Sequence, residues 1–344
     1  MKKLTLFLAA LFVFTCLAGH ENANAAQAFK PVELKIVTNY GPTHRALAVI
    51  QHWAKRVEEE TGGRVKSEIF PGETLLKNNE FYPGLLDGIV DAAAQDPSYN
   101  PEMFPLMSAL FLPGIQMNNS KVSTYTANEF FQSDYAELKR AKFMFAIGLS
   151  PFALQSKVKI EKLEDIRNLQ IRTNPLGAGP IRALGGVPVG LTAAEIYEAL
   201  MKNTINAACI PHDALVNWNL AEVCSYTINA PVITSACHYF AMNLDRWNSF
   251  PDDIKAAIEK VNKECLEMAA PLWDAMDAEG VKFALSKGVQ EYTVSDAELA
   301  RMIKALEPLQ NKWVEDMNAK RLPGQAALDN LKKIAAKYNA QYGK

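Results

Sequence analysis

The chain has 344 residues, of which 49% are hydrophobic and 22% charged, and its formal net charge at pH 7 is -2. Such a composition is typical of a globular protein. Charges of both signs are mixed along the chain, so we expect no basic surface for nucleic acid or for an acidic membrane.

The first 25 residues have the pattern of a secretory signal peptide. Two lysines precede an apolar run from Leu4 to Ala18, and the small residues Ala23 and Ala25 follow it. The run is shorter than the roughly 20 residues that span a bilayer. Cys16 lacks the Leu-small-small run before it that lipid attachment needs. We therefore expect cleavage after Ala25 and a free protein in the periplasm.

About 320 residues remain, which is more than one hydrophobic core usually serves, so two lobes are predicted. Strands alternate with helices, as in sheets flanked by helices. The first half predicts a strand at Leu34–Thr38, a helix at Thr43–Glu60, a strand at Val65–Phe70, a helix at Asn79–Asp87 and a strand at Ile89–Ala93.

This order of elements returns after a strand at Phe143–Leu149. The second half predicts a strand at Leu169–Arg172, a helix at Gly179–Leu184, a strand at Pro188–Gly190, a helix at Thr192–Met201 that starts with a capping box, and a strand at Ile205–Cys209. From Asp252 onward the chain is predicted to be almost all helical, with amphipathic stretches at 254–284 and 296–318. The expected fold class is α/β, with a mostly parallel sheet in each lobe.

Four cysteines follow the predicted cleavage point, namely Cys209, Cys224, Cys237 and Cys265. Their spacing matches no CxxC metal pattern. Export permits a disulfide, and Cys209 with Cys224 is the pair to test first. Buried free thiols are an equal alternative, since the sequence does not show which Cβ atoms face each other.

Four segments in order resemble the solute-binding subunits of tripartite ATP-independent periplasmic (TRAP) transporters. They are WAKRVEEETGGRVKSEIFPGETL, GLLDGIVDAAAQDPSYNPEMFPLMSALFLPG, EDIRNLQIRTN with the following LGGVPVGLTAAEIYEALMKNTIN, and FAMNLDRWNSFPDDIKAAI. The resemblance implies a two-lobed periplasmic binding protein whose lobes close on a small organic acid. It also implies TRAP permease subunits as membrane partners, a monomer, no catalysis, no metal and no cofactor.

On this resemblance, lobe I is expected to comprise residues 26–150 with a return segment at about 236–275. Lobe II is expected to comprise residues 151–235 with the C-terminal helices at about 276–344. The ligand cleft would lie between them.

The resemblance makes Arg172 the central ligand contact. Arg172 ends a predicted strand and precedes the turn residue Asn174, and ligands of open α/β sheets bind beyond the carboxyl ends of strands. Its planar guanidinium fits a carboxylate or a sulfonate with two hydrogen bonds. The alternative is a surface arginine at a strand end.

Further candidates follow strands of the first lobe and offer amide, hydroxyl or carboxylate groups. They are Asn39, Tyr40, Glu73, Gln95, Asp96, Ser98 and Tyr99. Asp96 ranks below Ser98 and Tyr99, because an unpaired carboxylate repels an anion. Phe152 and Trp218 lie near cleft positions of the family, and each is equally compatible with a core role.

One segment departs from the family pattern. Many members have Gln-Glu-Asn-Pro where this chain has Ala208-Cys209-Ile210-Pro211, so Ile210 replaces a ligand-binding asparagine. A sugar acid is therefore disfavoured. A short carboxylate or an organosulfonate such as isethionate fits better, with His212 as a possible replacement donor.

The sequence also bears on two other functions. An exported hydrolase would need a nucleophile with a base, yet the sequence has no Gly-x-Ser-x-Gly elbow and no His-Glu-x-x-His. A binding protein that serves a sensor would have the same fold as one that serves a permease. The sequence does not separate these two partners.

Overall fold

The computed structural model describes residues 29–231 and 233–343, so the predicted signal peptide and its cleavage point lie outside the described residues. The strands are β1 Val32–Thr38, β2 Val65–Pro71, β3 Ala92–Gln95, β4 Ala141–Gly148, β5 Ala153–Ser156, β6 Gln170–Thr173, β7 Val187–Gly190, β8 Ala207–Ile210, β9 Tyr226–Asn229, β10 Cys237–Asn243 and β11 Gln290–Thr293.

The α-helices are α1 Leu47–Glu60, α2 Phe81–Leu86, α3 Ser120–Phe130, α4 Ala178–Ala183, α5 Ile196–Met201, α6 Ala214–Asn217, α7 Leu244–Asn248, α8 Asp252–Ala269, α9 Leu272–Ser286, α10 Asp296–Leu306, α11 Pro308–Ala319 and α12 Gly324–Tyr342. Among the described helices, none is long and apolar enough to cross a membrane.

The strands form two sheets. The first has the order β2-β1-β3-β10-β4, and the second has the order β11-β9-β5-β8-β6-β7. The α/β class is confirmed, but both sheets are mixed. β10 pairs antiparallel with β3 and β4, and β5 pairs antiparallel with β8 and β9, while the other pairings are parallel. β5 and β10 are the strands that the chain enters on crossing between the sheets, which explains their reversed direction.

The two crossing segments lie side by side. Leu149 N–H donates to Ala236 O at 3.0 Å, and Phe152 N–H donates to Thr234 O at 3.1 Å. A third connection between the two lobes is the helix α9, which contacts both α3 and α6. At Gly280 on α9 an added Cβ would lie 2.2 Å from His212 O, so only glycine allows this close approach.

The core of the first lobe forms between its sheet and two helices. α1 turns Val49, Ile50 and Trp53 inward at helical spacing, and all three are fully buried. The Trp53 ring packs edge-on against Phe240 of β10, with centroids 5.0 Å apart. Its Nε1–H donates to Asn262 Oδ1 of α8 at 2.8 Å, so α1 and α8 are joined across the sheet face.

Several elements start or end at other residues than predicted. The helix predicted from Thr43 begins at Leu47, because residues 43–46 form a turn in which His44 Nδ1 accepts from Ala46 N–H at 3.2 Å. The strand predicted at Ile89–Ala93 begins only at Ala92, since Gly88 has φ +70° and turns the chain. Pro271 and Pro308 divide the two long C-terminal stretches into α8 with α9 and α10 with α11.

The four cysteines are buried free thiols, so the Cys209–Cys224 disulfide is not present. Burial raises the pKa of both thiols to about 12, which keeps them protonated and unreactive.

Candidate functional site

A cleft lies between the two sheets, where the carboxyl ends of β1, β3, β6 and β8 face each other. It encloses a cavity of about 50 Å³. The lining residues come from both lobes and from α9; they are Asn39, Tyr40, His44, Asp96, Tyr99, Leu149, Phe152, Arg172, Asn174, Ala193, Ile210, Pro211, Asp213, Trp218, His238 and Trp273.

Arg172 is a buried cation in this cleft. β6 lies between β7 and β8, and Arg172 is the third of its four residues. The side chain is 3% exposed, and its Nε–H donates to Leu191 O at 2.9 Å. Among the described residues, no carboxylate oxygen lies within 4.0 Å of its guanidinium nitrogens. A buried charge is costly unless an opposite charge compensates it, so this position is suited to an anion.

Asp96 and Asn174 connect the two lobes beside Arg172. Asn174 Nδ2 donates to Asp96 Oδ2 at 3.4 Å, while Asn174 Oδ1 accepts from Gly177 N–H at 2.9 Å. Asp96 Oδ1 also accepts from Ser98 N–H at 2.7 Å. Burial raises the pKa of Asp96 to about 6, although these hydrogen bonds and the nearby Arg172 charge lower it. The carboxylate is therefore held by local donors.

Aromatic rings form another part of the cleft wall. Tyr40 stacks on His44 and His238, with centroids 5.0 and 5.3 Å apart. Trp273 of α9 lies 6.0 Å from Tyr40. Trp218 of the second lobe meets His44 edge-on at 5.6 Å. This wall is apolar on its ring faces and polar at its nitrogen and oxygen atoms.

The hydrogen bonds of His44 and His238 fix their protons. His44 Nδ1 accepts from Ala46 N–H, so Nε2 carries the proton and faces Asp213 Oδ2 across the cleft at 3.5 Å. Tyr40 Oη bonds His238 Nδ1. Burial lowers the pKa of His238 to about 3, so this imidazole is neutral.

The family of the chain follows from a comparison with known sequences. The model of the DctP family, bacterial extracellular solute-binding protein family 7, matches residues 36–316. The chain belongs to this family. It is a TRAP-type periplasmic solute-binding protein, as its four sequence segments indicated.

Similar proteins come from several bacteria. "Outer membrane transporter protein TsaT" of Comamonas testosteroni is 21% identical over 84% of this chain and 87% of its own. A TRAP solute-binding protein of Rhodoferax ferrireducens with copurified benzoate is 24% identical, with a TM-score of 0.83 over 90% of this chain and 99% of its own. One of Pseudomonas putida F1 with bound D-glucuronate is 18% identical, with a TM-score of 0.76 over 89% and 97%. At these identities the structural likeness shows the fold.

The cleft of this solute-binding protein brings together most of the residues singled out from the sequence. Those that line it are Asn39, Tyr40, Asp96, Tyr99, Phe152, Arg172, Asn174 and Trp218. Burial raises the pKa of the Tyr99 phenol to about 12, although the nearby Arg172 charge lowers it, so the phenol keeps its proton. Gln95 lies outside the lining, where its side-chain amide donates to Asn100 Oδ1 at 2.8 Å.

Besides Gln95, three candidates do not line the cleft. Glu73 has φ +62°, and its carboxylate accepts from Asn78 N–H at 3.2 Å. Ser98 is fully buried, and its N–H donates to the capping carboxylate of Asp96. His212 bonds Thr227 Oγ1 through Nδ1 and Asn229 Oδ1 through Nε2, both at 2.7 Å. Both ring nitrogens of His212 are thus occupied, which corrects the expectation that it replaces the lost amide donor.

Four polar or aromatic residues of the cleft were not found from the sequence. His44 lies in the turn after β1, Asp213 follows β8, His238 is the second residue of β10, and Trp273 is the second residue of α9. His44 and Asp213 follow parallel strands, which is the signal that identified Asn39 and Arg172. His238 and Trp273 depend on the antiparallel crossing strand and the crossing helix, which carry no such signal. Among the described residues, no cluster of His, Cys, Asp or Glu could hold a metal ion.

Proposed function

We propose that the protein captures a compact organic anion in the periplasm and delivers it to the membrane subunits of a TRAP transporter. The observation that carries this proposal is the buried guanidinium of Arg172, which lines a cleft between two sheets and has no carboxylate partner within 4.0 Å among the described residues. The ligand's carboxylate or sulfonate supplies that partner through two charge-assisted hydrogen bonds.

The cleft favours an anion with few hydroxyl groups. Its cavity of about 50 Å³ is small, and its walls include Phe152, Ile210 and the ring faces of Tyr40 and Trp218. Apolar walls with a few polar groups suit a ligand with an apolar body. Benzoate, found with the Rhodoferax ferrireducens protein, has this character, and so do short carboxylates and isethionate. D-glucuronate, bound by the Pseudomonas putida protein, is larger and carries more hydroxyl groups than these anions.

The remaining features of the proposal concern the mature molecule. Cleavage after Ala25 releases a free monomer into the periplasm. We propose that lobe I consists of residues 26–150 with the return segment at about 236–275, and lobe II of residues 151–235 with the C-terminal helices at about 276–344. The packing of α12 on α3 supports assigning that last helix to lobe I instead.

A thermal-shift screen tests the proposed ligand class with a neutral ligand of similar shape and a larger anion as controls. Benzoate, propionate and isethionate are compared with neutral benzamide and with D-glucuronate. A ligand at a hundred times its Kd stabilises the folded protein by about 2.7 kcal/mol. We expect at least one of the three compact anions to raise the Tm, with no shift from benzamide and a smaller shift from D-glucuronate. Equal stabilisation by benzamide, or none by any anion, would refute the proposal.

A further inference from the structure

Trp273 is a residue of the cleft wall whose hydrogen-bond donor has no partner. The residue is 2% exposed, lies on the second position of α9 and lines the cavity. Its Nε1 is buried and has no hydrogen-bond partner in the described part of the chain. Trp53 and Trp313, in contrast, donate to Asn262 Oδ1 and Ser108 Oγ at 2.8 and 2.7 Å. A buried N–H without a partner is costly, so its position calls for an acceptor.

His238 provides a second donor beside this indole. Its ring lies 6.1 Å from the Trp273 ring and also lines the cavity. Tyr40 is buried, and burial raises the pKa of its phenol well above the usual value, so the phenol keeps its proton. That proton is satisfied only if Tyr40 Oη–H donates to His238 Nδ1. The neutral imidazole then carries its own proton on Nε2, as a donor.

These donors and the anion site come from different lobes. Trp273 packs with Tyr40, His44 and His238, all from the first lobe. Arg172 comes from the second lobe and bonds Leu191 O there. A ligand that reaches both sites needs an anionic head for Arg172 and an acceptor for the indole.

We propose that Trp273 Nε1–H, assisted by His238 Nε2–H, binds an acceptor oxygen of the ligand that is separate from its anionic head. The ligand class is thereby narrowed to compact anions that carry an oxo, hydroxyl or phenolic oxygen. This inference rests on the proposed function, since it assumes that an anion occupies the Arg172 site. A site that hydrogen-bonds a ligand oxygen discriminates against the analogue that lacks it.

Trp273→Phe is the variant that isolates the donor, because phenylalanine keeps an aromatic ring and removes the N–H. Trp247→Phe is the matched control. Trp247 is on α7, half-buried, and its ring lies 4.7 Å from the Lys142 ammonium, away from the cleft. Both variants lose an indole ring. A difference between their ligand affinities is therefore due to the location of Trp273 in the cleft.

Calorimetric titration uses two pairs of anions that differ by one acceptor oxygen. One pair is isobutyrate and pyruvate, and the other is benzoate and 3-hydroxybenzoate. In at least one pair we expect the wild type to bind the oxygenated member about 10-fold more tightly. Trp273→Phe should reduce that preference to about 2-fold or less while the Kd of the other member stays within about 3-fold. Trp247→Phe should keep the wild-type preference.

Three results would overturn the inference while the proposed function stands. In the first, the wild type binds anions but does not prefer the oxygenated member of either pair. In the second, the preference for the oxygenated member survives in Trp273→Phe. In the third, Trp273→Phe loses affinity equally for both members of a pair. If no anion of either pair binds the wild type, the proposed function fails and the inference fails with it.

Indole NMR of the wild type gives a readout that does not depend on how the variant folds. The chain has 5 tryptophans, so five Nε1–H signals are expected. One signal, absent from Trp273→Phe or left over after the other four are assigned, should shift downfield with the oxygenated anion and much less with its partner. An unchanged Trp273 signal at saturation would contradict the proposal.

Discussion

Asp277 of α9 is a carboxyl group whose pKa is raised by its surroundings. Its Oδ1 accepts from Asp213 N–H at 2.7 Å. Burial, together with the nearby Asp213 and Asp274 carboxylates, raises the pKa of Asp277 to about 8. Asp277 is therefore mainly neutral at pH 7.

This raised pKa makes stability depend on pH. In the unfolded chain Asp277 ionises near pH 4, so between about pH 4 and 8 folding takes up a proton. The stabilising contribution is complete below about pH 4 and is lost as pH rises to about 8. Asp277→Asn keeps the acceptor oxygen and removes the ionisation. We expect its Tm to exceed that of the wild type by several degrees at pH 8.5, with the difference shrinking at pH 5.

Melting curves from pH 5 to 9 measure this difference, with Asp87→Asn as the control at an exposed carboxyl group on the end of α2. Parallel pH profiles for the wild type and Asp277→Asn would show that Asp277 ionises normally in the folded protein.

The cleft residues differ in how far the sequence could predict them. Arg172 and Asn174 could be placed because the end of a parallel strand marks a ligand edge. The family resemblance added the role of Arg172. His212 was suggested by the departure from the family pattern, but its ring turns toward Thr227 and Asn229 of β9. Strand position predicts which residues come near a cleft, whereas the direction of a side chain depends on tertiary partners.

The helix α12 stabilises α3, which lies far from it in the sequence. It packs on α3, where Tyr338 stacks on Tyr125 with centroids 5.5 Å apart. Asn119 Nδ2 donates to Tyr342 O at 2.8 Å. The apolar face of α12 includes Leu331, which is fully buried.

Leu331→Ala should therefore destabilise the protein without changing the ligand site. Removing a buried leucine side chain leaves a cavity and costs about 2–5 kcal/mol. Denaturant unfolding is the measurement, and Lys332→Ala, at the exposed next position of the same helix, is the control. A free energy of unfolding within about 0.5 kcal/mol of the wild type would show that α12 does not support this core.

The boundaries of elements could be predicted where local chemistry is decisive. The capping box at Thr192 and Glu195 is present, with the carboxylate accepting from Thr192 N–H at 2.7 Å. Between Gly88 and Asp91 local pattern was misleading. Asp91 Oδ2 accepts from Lys35 N–H of β1 at 2.9 Å, so a long-range contact holds this apolar segment in a turn. Such a contact has no signature in the segment itself.

At the scale of the whole molecule, the two lobes touch across the cleft through few polar contacts. Asn174 to Asp96 is 3.4 Å and His44 to Asp213 is 3.5 Å, and both distances are long for hydrogen bonds. The sequence predicted two lobes from length and from repeated element order. It did not predict the antiparallel strands β5 and β10, because their direction follows from how the chain crosses between sheets.

Because the contacts across the cleft are weak, we expect ligand binding to drive the closure of the two lobes. A hinge motion of this kind is known for periplasmic binding proteins. With an anion that calorimetry shows to bind, we expect the radius of gyration from small-angle scattering to decrease, and no decrease with benzamide. An unchanged radius at saturation would mean that the lobes do not move on binding.

The most direct test of the central claim is calorimetric titration of wild type, Arg172→Ala and Arg172→Lys with the best anion from the screen. Removing one partner of a desolvated charge pair costs about 2–5 kcal/mol, so Arg172→Ala should bind about 30-fold to several thousand-fold more weakly. Arg172→Lys should be intermediate, because lysine keeps the charge and loses the planar fork.

Arg182→Ala, at an exposed arginine of α4 in the same lobe, should bind like the wild type. Melting curves without ligand should be similar for all four proteins. If Arg172→Ala binds the anion within about 3-fold of the wild type, or melts far below it without ligand, Arg172 is a structural residue and the anion is bound elsewhere.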